Sequence, residues 1–329
     1  MSYIKNNKPV TSSLLKSYAF TLLLDSNCPL ECTYCLMEYS DKERQNAPTP
    51  TKKLVINKVA EVLTNLSKNP NQNISICLCN GEPLLQLNLI KKLLSNIDDC
   101  SHIQYEVLSS FRFDKRNNYK QVFLLIDKWL DFFNNKKLKN FYLKWSIHLE
   151  YYENSKDVLS HYKKLKQYNV KIIPVIMINK RKDIRTFFFL KKIIPNLEYS
   201  LLLNSREENT LIKTLTQSEI NILKSIAYIV RKKHIVDRVL QDDWSFTGLT
   251  CGGTGADVNA GDVTIGVSSN GELSRCAKSF MYPNETKQHT GNILNMSYEE
   301  IVNYIDINVK CGYKKCNLCS SNHVGIENE

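Results

Sequence analysis

The feature of this 329-residue chain that most constrains its fold is a regular alternation of strand-like and helical runs between Tyr18 and His234. Such alternation is typical of an α/β domain with a parallel sheet. The strand-like runs are Phe20–Leu24, Ile74–Leu78, Ile103–Leu108, Phe141–Ile147, Val170–Met177 and Leu197–Leu203. The helical runs lie near Lys52–Ser67, Leu84–Ile97, Tyr119–Asn134, Ser155–Gln167, Asp183–Ile193 and Ser218–Lys233. These repeats are too few for a complete eight-fold barrel.

Three cysteines directly follow the first predicted strand, in the run Cys28-Pro-Leu-Glu-Cys32-Thr-Tyr-Cys35. The loop offers three thiolates, one fewer than a closed structural metal site needs. Because iron–sulfur clusters are usually held by four cysteines, a cluster held by three leaves one iron open to another ligand. Active sites of barrel-like α/β folds lie at the carboxyl ends of the strands, which is where this loop falls.

The spacing Cys28-x3-Cys32-x2-Cys35 resembles the signature of the radical S-adenosylmethionine (SAM) enzymes. The resemblance implies a 4Fe–4S cluster whose open iron binds SAM, and an electron donor such as flavodoxin or ferredoxin. It implies reductive cleavage of SAM to methionine and a 5′-deoxyadenosyl radical, which takes a hydrogen atom from the substrate. It also implies a partial (β/α)6 barrel of the TIM type, and a place near the adenine for Tyr34.

A second motif, Asn80-Gly81-Glu82-Pro83, follows the second predicted strand and resembles the Gly-Gly-Glu-Pro motif of the same family, with Asn80 in place of the first glycine. The resemblance implies that this loop meets the amino group of SAM, and Gly81 lets the backbone approach closely. Polar residues at later strand ends would hold the ribose and carboxylate: Ser109, Ser110, Ser146 and His148. Each is equally compatible with a purely structural role, in which it forms a hydrogen bond at the end of its strand. His148 is alternatively a substrate contact.

Five further cysteines lie in the last 79 residues. The run Gly271-Glu-Leu-Ser-Arg-Cys276 resembles a hairpin of the SPASM and twitch domains, which carry auxiliary clusters in this superfamily. The resemblance implies one auxiliary 4Fe–4S cluster with four thiolate ligands: Cys251, Cys276, Cys316 and Cys319. Cys311 is surplus and could replace a ligand, be inert, or act catalytically by donating a hydrogen atom near the substrate. Zinc is the alternative metal, both here and for the pairs Cys32/Cys35 and Cys316/Cys319.

These motifs and a change in composition after Val236 suggest three parts. We expect a lead-in over residues 1–17, a radical SAM partial barrel over 18–235, and a small α+β twitch- or SPASM-like domain over 236–329. Short strands are expected around Val263–Val267, and a helix over Ser297–Asn308.

Composition narrows the class of protein. The longest apolar runs, such as Ala19–Leu24, are far too short to span a membrane, and the first residues lack the apolar stretch of a secretory signal. Eleven cysteines in such a chain favour metal binding in a reducing compartment over disulfides. We therefore expect a cytoplasmic protein without a membrane partner.

The substrate is not specified by these motifs. The resemblance to SPASM and twitch enzymes favours a ribosomally made peptide, modified by epimerisation or cross-linking, with a small sugar or antibiotic intermediate as the alternative. The net charge of +11 makes an RNA-modifying enzyme a third hypothesis. Solvated helix faces are the favoured explanation of that charge, because the lysine-rich runs fall on predicted helices or loop edges. A non-catalytic iron–sulfur protein is disfavoured by the Gly81-Glu82-Pro83 context.

Overall fold

A computed structural model of the chain describes residues 17–30, 32, 46–69, 72–79, 81–97, 103–112, 119–135, 141–168, 170–178, 180–201, 216–218, 262–274 and 291–306. The strands within these residues are β1 (Ser17–Leu23), β2 (Asn73–Leu78), β3 (Gln104–Ser109), β4 (Phe141–His148), β5 (Lys171–Ile178), β6 (Glu198–Leu201), β7 (Asp262–Ser268), β8 (Glu272–Ser274) and β9 (Gly291–Asn292). The α-helices are α1 (Thr49–Ser67), α2 (Leu87–Ser95), α3 (Tyr119–Asn135), α4 (Ser155–Leu165), α5 (Arg181–Lys191) and α6 (Tyr298–Asp306). Short 3-10 helices cover Pro83–Gln86, Leu149–Tyr151 and Ile293–Asn295.

The strands form one sheet in the order β6-β5-β4-β3-β2-β1-β7-β8-β9. Each neighbouring pair from β6 to β7 is parallel, whereas β8 and β9 add antiparallel. The helices that separate consecutive strands make this the predicted α/β partial barrel. Because the strands are parallel, the carboxyl ends of β1 to β7 meet at one edge of the sheet.

The two faces of the sheet differ in character. In β2, the side chains of Ile74, Ile76 and Leu78 are buried and alternate with half-buried Ser75 and Cys77. The buried set joins the apolar stripe of α1 in the main core, because alternate strand residues point to one face. The opposite face, here called the inner face, carries the half-buried polar side chains of β2, β3 and β4.

The carboxyl-terminal part of the chain contributes three strands to the same sheet. β7 confirms the strand expected around 263–267, and it pairs with β1 over its whole length. α6 confirms the helix expected over 297–308 within its described bounds. The proposed domain boundary at 235/236 and the helix expected over 218–233 lie outside the described residues, apart from Ser218. Among the described helices, none combines the length and apolarity that a bilayer crossing requires.

Candidate cofactor site at the carboxyl ends of the strands

The loop after β1 carries the first cysteines of the predicted cluster motif and is held by neighbouring elements. Asp25 accepts hydrogen bonds from the backbone N–H of Asn27 and from Nζ of Lys52 on α1, both at 3.0 Å. The backbone carbonyl of Asp25 accepts from Nε2 of Gln86, also at 3.0 Å. Cys28 then lies exposed beyond the end of β1. Side chains from α1 and from the 3-10 helix after β2 therefore fix the start of this loop.

Cys32, in contrast to Cys28, is buried. It packs with Leu30 and Tyr151 in a small apolar cluster outside the main core. Its Sγ lies 3.7 Å from Nδ1 of His148 at the end of β4. Burial lowers the pKa of His148 from 6.5 to about 4, so the imidazole is neutral at pH 7. The end of β4 thus supplies both an imidazole and an aromatic wall to this thiol.

The loop after β2 packs directly on the cysteine-bearing loop. Gly81 has φ +57°, and a Cβ at this position would lie 2.5 Å from the carbonyl oxygen of Asn27 and 2.8 Å from that of Asp25. The next residue, Glu82, donates its backbone N–H to the carbonyl of Asn27 at 2.8 Å. Only glycine combines the left-handed conformation with so close an approach. Gly81 therefore lets this loop lie against the backbone just before Cys28, and its approach to SAM stays a prediction.

The carboxylate of Glu82 joins the ends of β2 and β3. Only 1% of Glu82 is exposed. Its Oε1 accepts from the N–H of Leu84 at 3.2 Å, and its Oε2 accepts from the hydroxyl and N–H of Ser110 at 2.8 and 3.2 Å. Burial raises the pKa of this carboxyl above its usual range, and the hydrogen bonds from Ser109, Ser110 and Leu84 oppose that rise. Glu82 is thus a buried brace between two strand ends.

The segment after β3 is strained and closely hydrogen-bonded. Phe111 has φ +51°, a conformation that is uncommon for a residue with a bulky side chain, and its ring is fully buried. The hydroxyl of Ser109 accepts from the N–H of Phe111 at 2.9 Å, and that of Ser110 accepts from the N–H of Arg112 at 3.2 Å. Such strain persists where surrounding contacts over-determine it, commonly at functional sites.

Comparison with solved structures identifies the fold of the chain. No family model and no curated protein sequence matches the chain. Among solved structures, it is similar to anSMEcpe with bound AdoMet, with a TM-score of 0.51 and 14% identity over 87% of this chain and 80% of that one. It is also similar to SuiB of Streptococcus suis bound to the precursor peptide SuiA, with a TM-score of 0.50 and 12% identity over 89% of this chain and 65% of that one.

This chain has the fold of the radical SAM enzymes. At these identities the likeness establishes the fold alone, and the chain spans slightly less than two thirds of the length of SuiB. The start of the cysteine loop and the Gly81–Pro83 loop take up adjoining positions at the strand ends.

The radical SAM fold brings the described candidate residues to one edge of the sheet. Contacts link the loops of β1 and β2, the ends of β2 and β3, and the cysteine loop with β4. Buried Ser146 lies two residues before His148 on the inner face of β4. The candidates within the described residues are Cys28, Cys32, Gly81, Glu82, Pro83, Ser109, Ser110, Ser146 and His148. Their roles toward SAM stay predictions.

The remaining candidates lie outside the described residues: Tyr34, Cys35, Asn80, Cys251, Cys276, Cys311, Cys316 and Cys319. The described residues contain no group of three or more metal-ligating side chains that could hold an ion by themselves. Thiols are the donors that iron–sulfur clusters use, and Cys28 and Cys32 present two of them from one loop. The donor set therefore fits a cluster completed by Cys35.

Two basic residues lie at this edge of the sheet that the sequence motifs did not identify as site residues. Lys52 pairs with Asp25, and its side chain is only 11% exposed. Arg112 is buried and lies over the ring of Tyr152, with 4.5 Å from its guanidinium carbon to the ring centroid. Tyr152 in turn hydrogen-bonds His161 at 2.8 Å. The only available signal was position, since Arg112 comes three residues after β3 and Lys52 lies in the first turn of α1.

A polar network lies deeper on the inner face. Glu106 accepts from the hydroxyl of Tyr142, lies 3.4 Å from Nζ of Lys144, and is 3.7 Å from the Sγ of Cys77. The pKa of the Cys77 thiol is raised, mainly by the hydrogen bond with Cys79 and next by burial. Glu106 is thus a polar partner of Cys77 within this network.

Proposed function

We propose that this chain is a radical SAM enzyme whose Cys28, Cys32 and Cys35 hold a 4Fe–4S cluster. The observation that carries the proposal is the contact between two loops, because Gly81 and Glu82 lie against the backbone that leads into Cys28. When bound and reduced, the cluster would supply the electron that cleaves SAM to methionine and a 5′-deoxyadenosyl radical, and this radical would take a hydrogen atom from the substrate.

The described residues would hold these groups in a fixed geometry. Asp25 and Lys52 fix the start of the cysteine loop, so Cys28 is presented from a braced backbone. Glu82 and Ser110 join the next two strand ends, which keeps the SAM-facing loop at a set distance from the third strand. Rigid placement of this kind avoids ordering the site at the moment of reaction.

We further propose that residues 236–329 carry one auxiliary 4Fe–4S cluster on Cys251, Cys276, Cys316 and Cys319, with Cys311 as the surplus thiol. The β7–β8 hairpin supports this assignment, because it turns at Gly271 with φ +89°, and Cys276 follows β8 by two residues in the sequence. Full ligation by four thiolates would favour electron transfer over substrate binding. A flavodoxin or ferredoxin would deliver electrons to the protein in the cytoplasm.

A ribosomally made peptide is the proposed substrate, modified by epimerisation or cross-linking. The similarity to SuiB, solved with its precursor peptide, supports this choice. A small sugar or antibiotic intermediate is the second candidate. The inner face lends less support to an RNA substrate, because Lys144 is engaged by Glu106 and Lys171 lies over the ring of Tyr142.

Anaerobic reconstitution tests the central claim. Wild-type protein should hold about eight irons if two 4Fe–4S clusters are present, and the Cys28/Cys32/Cys35→Ala triple variant should lose half. A Cys77/Cys79→Ala double variant is the matched control, because its thiols belong to the same fold and should leave the iron content unchanged. Reduction with dithionite in the presence of SAM should yield 5′-deoxyadenosine. Fully iron-loaded wild type that forms none would sink the proposal.

The substrate class is tested separately. A short precursor peptide encoded beside this gene should stimulate SAM cleavage and emerge either with a pair of hydrogens lost, for a cross-link, or with solvent deuterium at one α-carbon, for epimerisation. If sugar-biosynthesis genes surround it instead and the peptide is unchanged, the small-substrate alternative replaces the peptide.

A further inference from the structure

His148 lies beside Cys32, one of the three proposed cluster ligands. Its Nδ1 is 3.7 Å from the Sγ of Cys32, although the two residues are 116 positions apart in the chain. This separation suits a hydrogen bond to sulfur, which is longer than one to oxygen. Tyr151, which follows His148 by three residues, packs on the same cysteine together with Leu30. The thiol is therefore enclosed by one strand end as well as by its own loop.

The chemistry of ligation fixes the direction of this hydrogen bond. A cysteine that binds iron does so as a thiolate, which has no proton to donate and is a strong acceptor. A neutral imidazole carries one N–H, which can stand on Nδ1. The imidazole must then be the donor and the Cys32 sulfur the acceptor. Burial of Cys32 strengthens such an interaction, because little water competes for the sulfur.

We propose that His148 is a positioning residue that donates an Nδ1–H hydrogen bond to the Cys32 thiolate, and that this bond orients the ligand and raises the reduction potential of the SAM-binding cluster. The inference rests on the proposed function. Hydrogen bonds to cluster sulfurs stabilise the more negative, reduced state, and the groups beyond the direct ligands also hold those ligands in place. His148 thereby eases the arrival of the electron that the reaction needs.

Three variants test this role in the reconstituted full-length protein. His148→Phe keeps an aromatic side chain but removes the donor, whereas His148→Gln keeps an N–H of similar reach. His161→Phe is the matched control, because His161 is a buried histidine on the neighbouring α4 that contacts Tyr152. The cluster is followed by its EPR signal, and the part of the signal that SAM perturbs distinguishes it from any auxiliary cluster.

His148→Phe should shift the midpoint potential to a more negative value. We expect a roughly tenfold loss in the ratio of reduced to oxidised cluster at a fixed potential, which corresponds to about 59 mV for a one-electron couple. His148→Gln should recover most of the shift, and His161→Phe should leave the potential unchanged. ENDOR spectra should contain an exchangeable proton coupled to the wild-type cluster, and His148→Phe should remove it.

Several results would overturn the inference. An unchanged potential in iron-loaded His148→Phe, or an equal shift in His148→Gln and His148→Phe, would show that the N–H is not responsible. If His148→Phe fails to bind iron, two other measurements decide. The wild-type cluster must then show the exchangeable proton, and His148→Gln must have the midpoint potential of the wild type. A wild-type protein without any SAM-perturbed signal would overturn the proposed function as well, so the two failures are distinguishable.

Discussion

Substitution of Gly81 by alanine should disable the cofactor site. The new Cβ would lie 2.5 Å from the carbonyl oxygen of Asn27, whereas ordinary contact begins near 3.4 Å. The two loops must therefore separate by about 0.9 Å, because the three nearest atoms all belong to the backbone and cannot rotate away as a side chain could. The left-handed backbone adds about 1–2 kcal/mol of strain for a residue with a Cβ.

The displaced backbone is the segment that leads into Cys28, so the change reaches the cluster rather than stability alone. A misplacement of about 1 Å typically costs on the order of a hundredfold in rate. We therefore expect Gly81→Ala to lower the rate of 5′-deoxyadenosine formation by about two orders of magnitude. SAM affinity, measured by equilibrium dialysis on reconstituted protein, should fall in parallel.

Two controls separate backbone strain from steric overlap. Gly81→Asn relieves much of the strain, because asparagine tolerates the left-handed region, but it retains the overlap and should be equally defective. Gly271→Ala imposes similar strain at φ +89°, where its Cβ would meet the side chain of Asn292 at 2.7 Å. It should lower thermal stability without weakening SAM binding. If Gly81→Ala binds and cleaves SAM as wild type does, the loop contact does not hold the site.

Three further changes probe the surroundings of the site. Lys52→Met should lower the free energy of unfolding by about 1.5–3 kcal/mol, since it removes a charged hydrogen bond to Asp25. A coupling energy near zero in a double-mutant cycle with Asp25→Asn would contradict this. Glu82→Gln should lower the free energy of unfolding by about 1–3 kcal/mol, because its amide group places a donor opposite the N–H groups that now donate to the carboxylate. Unchanged stability together with lost SAM binding would instead identify Glu82 as a direct ligand of SAM. His161 has a pKa lowered to about 3, chiefly by burial, so its contribution is present above pH 6.5 and is lost on acidification toward pH 3. The stability difference between wild type and His161→Phe, measured by urea unfolding, should therefore shrink by about 2 kcal/mol between pH 7 and pH 5, and a constant difference would refute the assignment.

The alternation of apolar strands with amphipathic helices was sufficient to predict the parallel sheet. It worked because each strand has two constrained faces, as in β2, where Ile74, Ile76 and Leu78 enter the core. The predicted strand positions agree with β1 to β6 to within a few residues at each end. The sequence predicts one helix near Leu84–Ile97, whereas a 3-10 helix over Pro83–Gln86 precedes α2, since helical periodicity does not distinguish a tighter first turn.

The sequence motifs located the candidate site but could not assign each side chain its partner. No local signal predicts the hydrogen bond between Ser110 and the buried carboxylate of Glu82, residues that are 28 positions apart. The approach of His148 to Cys32 spans 116 positions and has no local signature. Pairing of β7 with β1 was likewise beyond local patterns, because it depends on how the sheet closes.

The pairing of β7 with β1 means that the carboxyl-terminal strands support the candidate cofactor site. β7 covers the side of β1 that β2 does not, so the strand leading to Cys28 is flanked on both sides. Farther along the same segment, the N–H of Ala47 donates to the buried hydroxyl of Ser269 at 3.0 Å, in the turn that follows β7. The loop that contains the cysteine triplet is therefore braced by α1 and β2 near Asp25 and by the β7–β8 turn at its far end. The carboxyl-terminal strands thus contact both ends of the segment that carries the residues proposed to hold the cluster.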